Sequence, residues 1–86
     1  MAVDIAAMRK LFKDGVLKEA IVAPEALLPN GEASWVLTVV RTDGSREWRE
    51  YMTLARSDER KIYKSLDSVH ADARKVGFME VRTLVA

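Results

Sequence analysis

The chain has 86 residues, enough for one small domain spanning 1–86 with a modest core and no covalent staples. It contains no cysteine, which excludes disulfides and thiolate metal sites and makes a reducing cytoplasm the natural setting. With 49% hydrophobic and 31% charged residues it is not a disordered chain, and a net charge of +1 supplies no global pull towards nucleic acid or an anionic membrane.

No apolar run approaches the roughly 20 residues that a membrane helix needs, so no membrane association is expected. Asp4 and Arg9 interrupt any apolar region of the kind a signal peptide requires.

In chain order, Asp4 to Asp14 reads as a helix. Asp4 is the cap, because its carboxylate can accept from the orphan N–H groups of the first turn. Ile5, Met8, Leu11 and Phe12 share one face at three- and four-residue spacing, and core contact explains that stripe better than a partner groove. Arg9, Lys10 and Lys13 crowd the C-terminal end, where the helix dipole favours cations, and Gly15 supplies the stop. Val16 to Ala23 reads as a strand that Pro24 either ends or places at a sheet edge. Pro24 to Glu32 reads as a loop, with Leu27 and Leu28 tucked against the domain.

The segment from Ala33 to Arg56 carries the strongest local signal, a β-hairpin. Two runs rich in β-branched and aromatic residues flank Asp43-Gly44, a favoured turn pair. If those two residues are the turn, Thr42 pairs with Ser45, Arg41 with Arg46, Val39 with Trp48, Leu37 with Glu50 and Trp35 with Met52. Alternation then puts Trp35, Leu37, Val39, Trp48, Met52 and Leu54 on a core face, with Glu50 the one misfit. Val36, Thr38, Val40, Glu47, Arg49, Tyr51 and Thr53 take the opposite, solvated face.

After Arg56 two readings stand. Ser57-Asp58-Glu59 caps a long helix to Val76, or it is a turn before a short strand Lys61–Lys64 and a helix capped by Ser65. The second is preferred, because Leu66, Val69, Ala73 and Val76 then form an apolar stripe that Gly77 closes. Met79 to Val85 alternates and reads as a last strand. The sum is an α+β two-layer domain: a mainly antiparallel sheet of three to five strands, two helices on one face, in the order α-β-β-β-(β)-α-β.

Three stretches carry a resemblance: Met52-Thr53-Leu54-Ala55-Arg56-Ser57, then Lys61-Ile62-Tyr63-Lys64-Ser65-Leu66-Asp67-Ser68-Val69, then Val76-Gly77-Phe78. Their order of basic-x-aromatic-x-Ser-Leu-Asp, a short helix, Gly and a closing strand is similar to a pattern in small proteins of bacterial plasmids and integrated elements, some of them partition-associated. The start of the first helix, Asp4 to Leu11, resembles the same group. The resemblance implies a mobile-element context and the shorter second helix, and it brings no catalytic residues.

Nothing in the composition assembles a catalytic centre. His70, the only histidine, has Asp67 three residues before it and Arg74 four after, but no second histidine, cysteine or nucleophile elbow completes a site. One histidine with scattered carboxylates lacks metal-ligand spacing, and no glycine-rich phosphate loop exists, so neither cofactor nor metal is expected. Glu47 and Glu50 face opposite ways along their strand, which argues against a shared acid–base pair. A non-enzymatic accessory module remains, with two candidate surfaces. Val36, Val40 and Tyr51 on the open sheet face would meet a partner protein or a second copy. Arg49, Arg56, Arg60, Lys61, Tyr63 and Lys64 would make a basic-aromatic surface for nucleic acid, as in an accessory factor of plasmid maintenance.

Overall fold

The computed structural model describes residues 2–27, 33–55 and 57–85. Leu28, the side chain of Leu27, and Arg56 of the basic run lie outside the described residues. The elements are β1 (Ala2–Val3), α1 (Ile5–Lys13), β2 (Leu17–Leu27), β3 (Ala33–Thr42), β4 (Glu47–Met52), α2 (Leu66–Val76) and β5 (Arg82–Thr83). They form one sheet of order β1-β4-β3-β2-β5. The long strands β2, β3 and β4 pair antiparallel, and the two-residue strands β1 and β5 add parallel edges. The expected α+β architecture with a mostly antiparallel sheet is therefore present. Strand β1, ahead of the first helix, was not anticipated, and the expected Met79–Val85 strand contracts to Arg82–Thr83.

Both helices cover one face of the sheet. Met8 of α1 and Val69, Ala73 and Val76 of α2 pack on Ala20, Val22, Leu37, Val39 and Met52 in a single buried cluster. Asp4 caps α1, its Oδ1 accepting from the Ala7 N–H at 2.9 Å. Ser65 caps α2, its hydroxyl oxygen accepting from the Ser68 N–H at 3.2 Å. The shorter second helix is thus the one that forms.

The hairpin register differs from the expected one by two residues. Arg41 opposes Trp48 and Val39 opposes Glu50, with Thr42–Glu47 the last pair. The reversal is a four-residue loop, not a two-residue turn, because side chains close it. Asp43 Oδ1 accepts from the Ser45 and Arg46 N–H groups, both at 3.0 Å, and from the Ser45 hydroxyl at 2.9 Å. The Thr42 hydroxyl accepts from the Gly44 N–H and donates to the Arg46 carbonyl. An even shift leaves every side chain on its expected face, so both tryptophans remain on the helix side. Trp35 packs against the core. Trp48 sits nearer the rim, with the guanidinium groups of Arg41 and Arg46 at 5.4 and 5.6 Å from its ring centre.

Glu50 is buried on the core face, as the alternation required. Its Oε1 accepts from Arg41 Nη1 at 3.0 Å and from the Trp48 indole N–H at 3.1 Å, while Oε2 has no partner. A buried carboxylate is tolerated only with a counter-charge, and the cross-strand shift that sets Arg41 beside it supplies one.

Two expectations about the strands fail for identifiable reasons. The loop expected from Pro24 does not start there: β2 runs through Pro24 to Leu27, and of the two places open to Pro24 it takes the sheet edge. Pro24 pairs with Trp35 at a site of the same parity as Val22, whose carbonyl points outward to accept from the Leu84 N–H. The missing proline N–H therefore faces the sheet edge, where it costs no bond to β3. Leu54 is not a core residue; it is 41% exposed, because the chain leaves the sheet after Thr53. It returns through Arg60, bridged to Thr53, and Tyr63, bridged to Trp35. Tyr63 and Trp35 exchange two backbone hydrogen bonds at 2.8 Å. Residues 60–63 thus extend the row of β4 through isolated bridges and do not form the expected separate strand.

Candidate nucleic-acid interface

The basic-aromatic run expected from the sequence does not gather as one surface. The bridges at Arg60 and Tyr63 hold the 60–63 segment so that Lys61 and Tyr63 reach Asp72 while Arg60 reaches Glu25. The Tyr63 hydroxyl donates to Asp72 Oδ2 at 2.6 Å, and Lys61 Nζ donates to the same oxygen at 2.8 Å. Burial raises the Tyr63 phenol far above its ordinary range, and the hydrogen bond and charge of Asp72 push it the same way, so it stays a donor. Burial alone would raise the Asp72 carboxyl. The hydrogen bonds from Lys61 and Tyr63 and the charges of Lys61 and Lys75 outweigh that, and it is held below the usual carboxylate range. This triad fastens the 60–63 segment to α2.

Arg60 lies over the Tyr51 ring, 4.6 Å from its centre, and pairs with Glu25 at 3.1 Å. Arg49 and Lys64 are exposed and form no ion pair among the described residues. The expected protein-contact patch is also small. Val36 and Val40 are 6% and 7% exposed, and Tyr51 is occupied by Arg60. Ion pairs Lys18–Glu47, Arg60–Glu25 and Arg82–Glu19 flank this face.

His70 Nε2 lies 3.0 Å from the Thr83 hydroxyl and ties α2 to β5; it meets neither Asp67 nor another carboxylate among the described residues. Among those residues no three histidine or acidic side chains converge as a metal site. No described helix is long and apolar enough to cross a membrane.

Most of the cations left without an ion pair among the described residues are on the helices. Among the described lysines and arginines, those without an ion pair are Arg9, Lys10, Lys13, Arg49, Lys64 and Arg74. Four of these six belong to α1 and α2. Arg9, Lys10 and Lys13 join Lys75 along a groove of about 660 Å³ between the helices, with Phe12 and Val76 in its lining and no acidic residue there. Lys75 is held only loosely, 3.9 Å from Asp72 Oδ1.

Packing at the helix ends builds this groove. The Phe12 ring meets Phe78 edge-to-face, with centroids 5.0 Å apart. It lies so close to Gly77 that a Cβ there would stand 2.5 Å from two of its ring carbons. Both helix C-termini therefore meet at one end of the molecule, each bringing the cations of its last turn: Lys10 and Lys13, Arg74 and Lys75. Each cation alone is an ordinary helix-end preference; the juxtaposition of two such ends is a tertiary event. Sequence reasoning saw the α1 cations only as dipole partners, since nothing in the linear order brings Lys75 to them.

The chain matches no protein-family model, no curated protein and no solved structure in comparisons of each kind.

Proposed function

We propose that this domain is a non-enzymatic accessory module that binds nucleic acid through its helical layer. The observation that carries the reading is the segregation of charge. Sheet-side cations are mostly neutralised, by Glu19, Glu25, Glu47 and Glu50 and, for Lys61, by Asp72 of α2, while Arg9, Lys10 and Lys13 face solvent unpaired beside Lys75. A local basic field can hold phosphates although the net charge is only +1. The resemblance of residues 52–78 to partition-associated plasmid proteins gives the reading a context, plasmid maintenance in a bacterial cytoplasm. Contact with a partner protein or a second copy through Val36, Val40 and Tyr51 has less support, since little of Val36 and Val40 reaches the surface.

The test is fluorescence anisotropy of a short labelled DNA duplex titrated with the protein in low salt. Saturable binding that salt reverses is expected. Absence of any binding at low salt overturns the proposal, because the phosphate term is strongest there.

A further inference from the structure

Resting on that reading, we infer that the α1/α2 groove grips the phosphate backbone of duplex nucleic acid and does not read its bases. The polar groups of the lining are all cationic, and Phe12 and Val76 supply the rest. Arg9 and Lys13 are one helical turn apart, about 6 Å along the axis, with Lys10 beside them and Lys75 across the groove. Phosphates are held by such point charges without sequence information.

Base recognition needs other chemistry, and the groove lacks it. Single strands are held largely by stacking on exposed aromatic rings. The one ring here, Phe12, is engaged by Phe78 and backed against Gly77. The remaining aromatics are committed elsewhere: Tyr63 is buried, Trp35 packs on the core, Tyr51 lies under Arg60 and Trp48 beside two arginines. Adenine is read mainly by Asn or Gln amides, and neither is among the described residues that line the groove. Arg9 is the only groove side chain with a rigid planar fork to set against guanine, the lysines being rotatable point charges, and one such contact cannot define a site.

The inference predicts a measurable salt law. Neutralising up to four phosphates gives a slope of log K against log salt of about −3 to −4, or roughly a hundredfold weakening between 50 and 200 mM salt. Anisotropy titrations across that range should show this slope for duplexes of unrelated sequence, and weaker binding to single strands of the same length. The variant Lys10→Gln/Lys13→Gln, checked for folding by circular dichroism, should flatten the slope by about two. The paired variant Arg49→Gln/Lys64→Gln tests the sheet side and should leave the slope unchanged.

Tight binding to one sequence only, or preference for single strands, overturns the backbone inference and leaves the proposed function standing. A slope insensitive to Lys10 and Lys13 but lowered by the Arg49 and Lys64 substitutions overturns the assignment of the groove. No binding to any nucleic acid overturns both.

Discussion

Gly77→Ala should be costly out of proportion to its single added methyl group. Gly77 has φ of +132°, outside the range in which L residues rest, and its Cβ would stand 2.5 Å from Cδ1 and Cε1 of Phe12. Holding a side-chain-bearing residue in such a conformation costs about 1–3 kcal/mol. Forcing extra volume into a packed contact costs a similar amount, about 1–3 kcal/mol. A shift of the Phe12 ring relieves part of the overlap but weakens its edge-to-face contact with Phe78, worth about 0.5–1.5 kcal/mol. The two main costs sum to about 2–6 kcal/mol, and each kcal/mol lowers Tm by about 4–8 °C for a domain of this size.

Urea denaturation should show the loss as a lower midpoint at unchanged slope. Gly44→Ala is the control: φ there is +96°, but nothing lies within 4 Å of its Cβ, so only the backbone cost remains, about 1–2 kcal/mol. Combining Gly77→Ala with Phe12→Leu should recover part of the loss, since neighbours that clash are not additive. Equal losses for the two glycine variants, or no coupling between Gly77 and Phe12, would refute the packing argument and with it the described floor of the groove.

Other expectations concern the buried polar groups. Arg41→Ala leaves the fully buried Glu50 carboxylate without its counter-charge and should cost about 3 kcal/mol, more than Glu50→Leu, which removes the buried charge and strands only the part-exposed Arg41 guanidinium and the Trp48 indole N–H; denaturation midpoints that rank the two the other way refute this. Asp72→Asn should destabilise by about 1–3 kcal/mol at neutral pH by weakening the bonds from Lys61 and Tyr63. Because the Asp72 carboxyl lies below its ordinary value of 3.8 in the folded chain, its contribution is complete above that value and lost as pH falls through the folded value. Wild type and Asp72→Asn should therefore converge in stability in acid, and a constant gap down to pH 2 would contradict the pairing. Asp4→Ala should cost about 1 kcal/mol through loss of the α1 cap, read as a lower thermal midpoint; a neutral effect would show that the cap carries no weight.

Much of this fold was legible along the chain because its signals are local. Asp4 and Ser65 cap helices wherever those helices go, Gly77 stops one of them, and the two-residue alternation from Trp35 to Met52 sorts core from surface whatever the exact turn. Even the error in hairpin register was harmless to the faces, since Asp43 and Thr42 closed a loop longer by two residues. Glu50 stood out as a core-face carboxylate from alternation alone.

Its partner did not, because Arg41 reaches it only in the shifted register, and side-chain hydrogen bonds in the loop set that register. The same holds for charge. Sequence order grouped Arg60, Lys61 and Lys64 as one basic surface, yet in the bridged 60–63 segment Lys61 turns to Asp72 on α2 and Arg60 to Glu25 on β2. The cations of two helices distant in sequence meet instead, where Phe12 rests on Gly77. Helix caps and strand faces follow from neighbours within a few residues. Which charges remain free depends on the elements that come to lie beside them, and long-range packing settles that.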